Sequence, residues 1–171
     1  MSDVFYLRPI DGPIGPSDVR NMATEAGGCF NIHRVTWQQS FLASDGNRIM
    51  CWYRAPDAES ARMALRQLGS DMTAVWAGSV LPTASETPAT VLAEATLAAA
   101  VTPDEVQAAC ASAASDLAAN HAHLVNAFLS NDGKRVVYAF AAPNAASVAD
   151  ALEQAGIATD AVWPCQVVMP N

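Results

Sequence analysis

Apolar residues fall into short runs along the chain, and their spacing predicts its strands. Four runs are rich in β-branched and aromatic side chains and are bounded by turn residues, as is typical of strands; they span residues 4–8, 35–44, 49–55 and 74–81. The second and third runs flank an Asp-Gly pair at 45–46, which favours a tight hairpin because glycine accepts a positive φ angle. The first half of the chain is therefore predicted to hold four strands, two of them joined as a hairpin.

Helix signals lie between these strands. Asp57 is a suitable N-cap, and apolar residues follow it at helical spacing until Gly69. An earlier helix is predicted to stop at Gly27 and Gly28. The start of the matching helix is clearest in the second half, where Pro103 follows a threonine and precedes two acidic residues. Each half is thus predicted to run β-α-β-β-α-β.

The pattern occurs twice at a constant offset of 87 residues. Residues 44–56, SDGNRIMCWYRAP, align without a gap with residues 131–143, NDGKRVVYAFAAP. Across residues 4–80 and 91–167 the same offset gives 21 identities in 77 positions. Two copies of one unit explain this pattern best.

Each copy has the element order of a ferredoxin-like, split β-α-β unit. We expect an α+β protein with a first repeat at residues 3–81, a linker at 82–90 and a second repeat at 91–169. Because two helices cover only one face of such a sheet, the other face needs a partner, which the second copy supplies. The sequence therefore predicts an intrachain pseudo-dimeric α+β barrel with room for a ligand between the two repeats, and leaves further oligomerisation open.

Composition narrows the classes of function. Of the 171 residues, 51% are hydrophobic and 15% are charged, which favours a packed core over disorder. The net charge of −8 and the lack of a basic run argue against nucleic-acid binding. With no membrane-length apolar stretch and no signal-peptide pattern, a cytoplasmic protein without a membrane partner is expected. The four cysteines lack CxxC spacing and are expected to be reduced thiols.

A longer stretch, SFLASDGNRIMCWYRAPDAESARMALRQLG at residues 40–69, resembles a small family of nickel-binding, ferredoxin-like proteins that is largely described as a domain of unknown function. Residues 127–156 are a looser second copy of it. Members of that family are typically single units that dimerise. The resemblance implies a fused version of such a dimer, with nickel or another transition metal as a possible cofactor.

This chain departs from the family where the resemblance implies a metal ligand. A histidine of the second helix is replaced by Ala64 and by Ala151. Transition metals prefer imidazole and thiolate donors, so the remaining histidines, His33, His121 and His123, are the candidate metal ligands. All three lie at helix-to-strand junctions, where exposed loop residues are the simpler interpretation.

The first half carries the richer set of large side chains with polar tips. Cys51 and its counterpart Tyr138 are expected to line the space between the sheets, and a buried cysteine without a neighbouring base is expected to be inert. A guanidinium beside two indoles suits an anionic or aromatic ligand. The candidate ligand pocket comprises Trp37, Gln39, Cys51, Trp52, Tyr53, Arg54 and Tyr138.

Three classes of function follow from these residues. The first is a non-enzymatic binding protein that holds a metal ion or a small molecule between the repeats. The second is a cofactor-independent oxygenase or isomerase of the α+β barrel type, which rests on fold analogy. The third is a protein-interaction module. No catalytic residues are assigned, since paired carboxylates, a Gly-rich phosphate loop and a Ser/His/Asp arrangement all lack a recognisable signature.

Overall fold

A computed structural model describes residues 1–71 and 74–171 of the chain. Its contacts divide the chain into two compact units, of which the first unit comprises residues 1–78 and 167–171 and the second unit residues 79–166. Within the described residues, no helix has the length and apolar content needed to cross a lipid bilayer.

The first half of the chain contains four strands and two helices in its described residues, in the predicted order β-α-β-β-α-β. Their bounds are β1 Ser2–Pro9, α1 Pro16–Ile32, β2 Thr36–Ala43, β3 Arg48–Ala55, α2 Ala58–Gln67 and β4 Val75–Pro82. The second half repeats this order. Its elements are β5 Val91–Thr96, α3 Pro103–Ala119, β6 His123–Ser130, β7 Arg135–Ala141, α4 Ala145–Gln154 and β8 Ala161–Val168.

Both halves form an antiparallel sheet in which the second strand of the hairpin pairs with the first strand of that half. In the first half β3 lies between β1 and β2, and β4 pairs with the other edge of β1, giving the order β4-β1-β3-β2. In the second half the order is β8-β5-β7-β6. This is the ferredoxin-like arrangement, so the predicted α+β class with two β-α-β-β-α-β segments is confirmed.

The helices begin where the sequence predicts. At α3 the N–H of Thr102 donates to the Glu105 carboxylate at 2.7 Å, and the N–H of Glu105 donates to the Thr102 hydroxyl at 3.2 Å, a reciprocal capping box. Asp57 and Asn144 accept a backbone N–H from the residue three positions on, at 2.7 and 2.8 Å. These side chains satisfy backbone donors that would otherwise lack partners at the helix starts.

The prediction that Gly27 and Gly28 stop the first helix is wrong. Helix α1 continues through both glycines and ends at Ile32. A glycine inside a helix costs roughly 0.5–1 kcal/mol relative to alanine. The last turn of α1, however, buries Phe30, whose ring meets the ring of Tyr53 edge-on with centroids 5.4 Å apart. Burying an aromatic side chain offsets the cost of the glycines, so packing extends the helix by a turn.

Each hairpin turn is tied to the loop that precedes the first helix of its half. The N–H of Ile14 donates to the carbonyl of Gly46 at 3.1 Å, and the N–H of Val101 donates to the carbonyl of Gly133 at 2.9 Å. Both glycines have positive φ, +75° and +70°. A Cβ added at Gly46 would lie 2.6 Å from the Ile14 carbonyl oxygen, and one at Gly133 would lie 2.5 Å from that of Val101. Glycine is therefore required here by conformation and by space.

Replacing Gly46 by alanine tests this close approach. The left-handed conformation and the backbone clash together predict that Gly46→Ala lowers the free energy of unfolding by about 2–4 kcal/mol. Gly69→Ala is the matched control, because Gly69 also has positive φ (+74°) but no atom within 4 Å of the added Cβ. The control is expected to lose about 1–2 kcal/mol. Urea unfolding measures both, and equal losses would contradict the argument from space.

Candidate functional site

A cavity of about 410 Å³ lies inside the first unit, between its helices and the face of its sheet that they cover. One wall comes from β1, β2 and β3, and the opposite wall comes from α1 and the end of α2. Its lining residues are Tyr6, Arg8, Pro9, Val19, Met22, Ala23, Glu25, Ala26, Phe30, Trp37, Ser40, Cys51, Tyr53, Leu65, Leu68, Gly69, Ser70 and Asp71. Interfaces between helices and a sheet are usually apolar. This one contains polar side chains as well as apolar ones.

The polar groups on the sheet wall form a hydrogen-bonded chain. The indole N–H of Trp37 donates to the hydroxyl of Ser40 at 3.0 Å, and that hydroxyl donates to the sulfur of Cys51 at 3.0 Å. The hydroxyl of Tyr53 also hydrogen-bonds with Cys51. Ser40 has no exposed surface, and Cys51 and Tyr53 are each only 6% exposed. Because the side chains of Ser40, Cys51 and Tyr53 hydrogen-bond with one another, this cluster is tolerated in the core.

A β-bulge places these hydrogen-bonded side chains on the same face of the sheet. In the pairing of β2 with β3, Trp37 lies opposite Tyr53, whereas Gln39 lies opposite Trp52, so that the register shifts between Trp37 and Gln39. The extra residue of a bulge reverses the usual alternation of faces. Strict alternation would place Trp37 and Ser40 on opposite faces of the sheet. Because of the bulge, both side chains face the cavity.

Burial keeps the titratable groups of the cavity neutral. It raises the pKa of the Cys51 thiol, against hydrogen bonds from Ser40 and Tyr53 and the positive charge of Arg8. Burial, followed by the neighbouring Cys51, raises the pKa of Tyr53 well above its usual value. Burial also raises the pKa of Tyr6, although Arg8 opposes it. All three groups carry their protons at pH 7.

Two donors on β1 lack hydrogen-bond partners in the described part of the chain. The hydroxyl of Tyr6 and the Nε–H of Arg8 are buried, and neither makes a hydrogen bond of good geometry with those residues. The Ser70 side chain is near enough to the Tyr6 hydroxyl to lower its pKa, but the geometric criterion for a hydrogen bond is not met. Tyr6 is only 2% exposed. The guanidinium of Arg8 lies over the Tyr6 ring, 5.4 Å from its centroid. Unsatisfied buried donors are costly and call for an explanation.

The second unit has a cavity of about 370 Å³ under α3, but with a different lining. It is mostly apolar, and its walls include Val106, Cys110, Leu124 and Ala127. At the 87-residue offset the polar groups of the first unit are replaced as follows: Tyr6 by Ala93, Arg8 by Ala95, Trp37 by Leu124, Ser40 by Ala127, Cys51 by Tyr138 and Tyr53 by Phe140. The polar cluster is therefore specific to the first half.

The structure brings three of the residues in the candidate ligand pocket together and separates the rest. Trp37, Cys51 and Tyr53 line the cavity. Trp52 and Arg54 instead bind the carboxylate of Asp3, with the indole N–H donating at 2.9 Å and the guanidinium at 3.4 Å. They and Gln39 lie on the opposite face of the sheet, because alternation along β3 and the bulge in β2 turn them away from the helices.

The remaining pocket residue, Tyr138, lies in the second half. Its ring stacks with that of Phe140 at 6.2 Å, in the core beneath the helices of that half. The expectation that Cys51 and Tyr138 line the space between the sheets is therefore corrected. Both lie on the helix-covered face of their own sheet. Burial raises the pKa of Tyr138 to about 12, consistent with a residue of the core.

The candidate metal ligands do not form a cluster. His33 caps the C-terminus of α1, His121 has positive φ (+59°), and His123 starts β6 with its Nε2 3.0 Å from the Ser85 hydroxyl. Among the residues that the structure describes, no three His, Cys, Asp or Glu side chains are close enough to hold a metal ion together. The left-handed position of His121 is shared by its offset partner Arg34 (φ +57°), so it belongs to the fold rather than to a site.

The sequence interpretation missed three residues that define the cavity: Tyr6, Arg8 and Ser40. A signal for them was present. Tyr6 and Arg8 alternate on one strand and therefore share a face, and both have alanine at the 87-residue offset. A comparison of the halves restricted to one face of each strand would have found them.

The raised pKa of Cys51 predicts slow thiol chemistry. In the folded protein near pH 8, iodoacetamide is expected to label buried Cys51 at least about tenfold more slowly than half-buried Cys29, since only the thiolate reacts. The rate at Cys51 should rise with pH, because its thiol stays protonated longer. Peptide mass spectrometry reads each site, and labelling in 8 M urea serves as the control. Equal rates in the folded protein would show that the cavity does not protect the thiol.

Several solved structures are distantly similar to this chain. A candidate chlorite dismutase is 9% identical, with 98% of this chain and 94% of that chain covered and a TM-score of 0.48. An anthrone oxidase-like protein is 12% identical, with 97% and 90% covered and a TM-score of 0.45. A candidate monooxygenase from Lactobacillus acidophilus NCFM is 9% identical, with 99% and 97% covered and a TM-score of 0.46. Nothing about activity follows from similarity this distant.

Sequence comparison is more specific. No curated protein matches the chain. A family model does match residues 7–77, a segment that contains all the cavity residues but Tyr6. That family is described as nickel responsive protein SCO4226-like, and the match confirms, for this segment, the resemblance predicted from the sequence.

Proposed function

We propose that this protein binds a small organic molecule inside its first unit. The observation that carries the proposal is the 410 Å³ cavity, in which Tyr6 and Arg8 present buried donors that have no partner in the described residues. Ligand sites in proteins are typically cavities of about 300–1,000 Å³, with mostly apolar walls and a few placed polar groups. The cavity beneath α1 has this size and this chemistry.

The position of the cavity changes the binding hypothesis drawn from the sequence. That hypothesis placed a ligand between the two repeats, whereas this cavity lies under the helices of one unit. An indole and two phenols line it, Trp37, Tyr6 and Tyr53, and these offer flat faces to an apolar ligand. Two of the lining residues, Glu25 and Asp71, are exposed carboxylates.

The protonation states favour binding over catalysis. A nucleophilic cysteine or a tyrosine base acts in its ionised form, which needs a lowered pKa. Burial instead raises the pKa of Cys51, Tyr53 and Tyr6. Neutral groups of this kind donate and accept hydrogen bonds and so can orient a ligand.

Nickel does not fit the residues present as well as an organic ligand does. A transition-metal site in a protein needs several imidazole, thiolate or carboxylate donors that converge on one point. The cavity offers one thiol, Cys51, and two exposed carboxylates, and no convergent set of three occurs in the described residues. The family description favours nickel, and a titration decides between the two.

Binding in the cavity can be measured with a neutral aromatic probe, 2-naphthol. We expect 2-naphthol to quench Trp37 and to bind by calorimetry, and we expect Ala23→Phe to weaken this binding at least about tenfold by filling the cavity from α1. The matched control is Cys110→Phe, because Cys110 occupies the same position at the 87-residue offset and lines the other cavity. That variant should leave the affinity unchanged.

Either of two results would count against the proposal. One is the absence of any 2-naphthol binding. The other is equal loss of binding in Ala23→Phe and Cys110→Phe, which would place the probe elsewhere or show general loosening of the core. Urea midpoints of both variants show whether each still folds.

The metal alternative has its own measurement. With untagged, chelator-treated protein, calorimetric titration of Ni²⁺ is expected to show no site tighter than about 10 μM. If the titration shows a tighter site and that site is lost in Cys51→Ser, nickel binds in the cavity instead. A tight site lost on replacing His33, His121 or His123 would return those residues to the metal role predicted from the sequence.

A further inference from the structure

We infer that the molecule bound in the first-unit cavity is a monoanionic acid, a single carboxylate on an apolar body, with the carboxylate held by the Tyr6 hydroxyl and the Arg8 Nε–H. This inference rests on the proposed function and specifies the chemical class of the ligand. It accounts for the two donors that the described residues leave without partners.

The two donors are suited to one carboxylate. Tyr6 and Arg8 are two residues apart on β1, so both side chains point to the helix-covered face. The Arg8 guanidinium carbon lies over the Tyr6 ring, 5.4 Å from its centroid, so the two side chains are in contact. A planar carboxylate can accept one hydrogen bond at each oxygen, and bonds from charged donors are about twice as strong as neutral ones.

Arg8 sets a positive potential within the cavity. Burial raises the pKa of Tyr6, Cys51 and Tyr53, and the positive charge of Arg8 opposes that rise at each of the three groups. At Tyr6 the influence of Arg8 exceeds the opposite influence of Asp71. The charge of Arg8 therefore offsets part of the desolvation cost that an anion beside Tyr6 would meet.

The carboxylates at the cavity limit the charge of the ligand. Glu25 and Asp71 line it with exposed side chains, so the cavity holds one positive and two negative groups. A dianion such as a phosphate monoester would need more positive charge than Arg8 alone supplies, and the Glu25 and Asp71 carboxylates would repel it. A ligand with one negative charge near Arg8 and no charge elsewhere fits this distribution of charges.

The rest of the lining suits an apolar body. Val19, Met22 and Phe30 project from α1, and Leu65 projects from α2 toward the same space. Methionine adapts to ligands of irregular shape. The second unit offers an internal contrast, because at the positions of Tyr6 and Arg8 it has Ala93 and Ala95. Acid recognition is therefore assigned to the first unit alone.

A pair of probes that differ only in charge tests the inference: 2-naphthoate and its neutral analogue 2-naphthamide, titrated by calorimetry at fixed ionic strength. We expect the intact protein to bind the acid about tenfold or more tightly than the amide. In Arg8→Gln and in Tyr6→Phe, the ratio of acid affinity to amide affinity should fall to about threefold or less. Arg66→Gln is the matched control for net charge, since Arg66 is exposed and does not line the cavity.

The outcomes separate this inference from the proposed function. Equal affinity for acid and amide, or an acid preference that survives both Arg8→Gln and Tyr6→Phe, overturns the acid assignment but leaves the cavity as a binding site. Failure of both probes to bind overturns both. Tyr6→Phe removes a hydroxyl that makes no hydrogen bond of good geometry in the described residues, so it should fold even if Arg8→Gln does not. Its acid-to-amide ratio then decides alone.

Discussion

The close approach of a hairpin glycine to the loop before a helix is the constraint on which the cavity depends. The hydrogen bond between Ile14 and Gly46 joins the β2–β3 turn to the residues that lead into α1. No side chain fits between these backbones. The turn therefore determines where α1 starts and at what height it lies over the sheet. The equivalent hydrogen bond, between Val101 and Gly133, positions α3. Both halves therefore place a helix over the sheet through the same backbone contact.

What lies beneath that helix differs between the halves, and the difference is chemical rather than architectural. The first half joins half-buried Trp37 to buried Ser40 and Cys51 in a continuous hydrogen-bonded chain, with Arg8 and Tyr6 beside it. Each buried polar group costs free energy that an apolar residue would not. The second half retains the fold with apolar residues at most of these positions. The polar set is thus unnecessary for folding, which makes a role in binding the better explanation for it.

Much of the fold could be predicted because its signals are local. The capping pair of Thr102 and Glu105, the N-cap Asp57 and the Asp-Gly turns act within a few residues of themselves. The stop predicted at Gly27 failed for the opposite reason. Burial of Phe30 against a residue of another strand overrode the local preference, and no local pattern reports such a contact.

The sequence by itself determined the α+β class, the order of the elements and the half of the chain in which polar chemistry is concentrated, because periodicity, caps and the 87-residue offset are written in consecutive residues. Only the tertiary structure decided which side chains meet. One extra residue in β2 turned Trp37 toward Cys51 and Gln39 away. The packing of the helices over the sheet then placed Tyr6 and Arg8 in the cavity lining. A site depends on which face each residue occupies, and a single bulge reverses that face without any distinctive mark in the sequence.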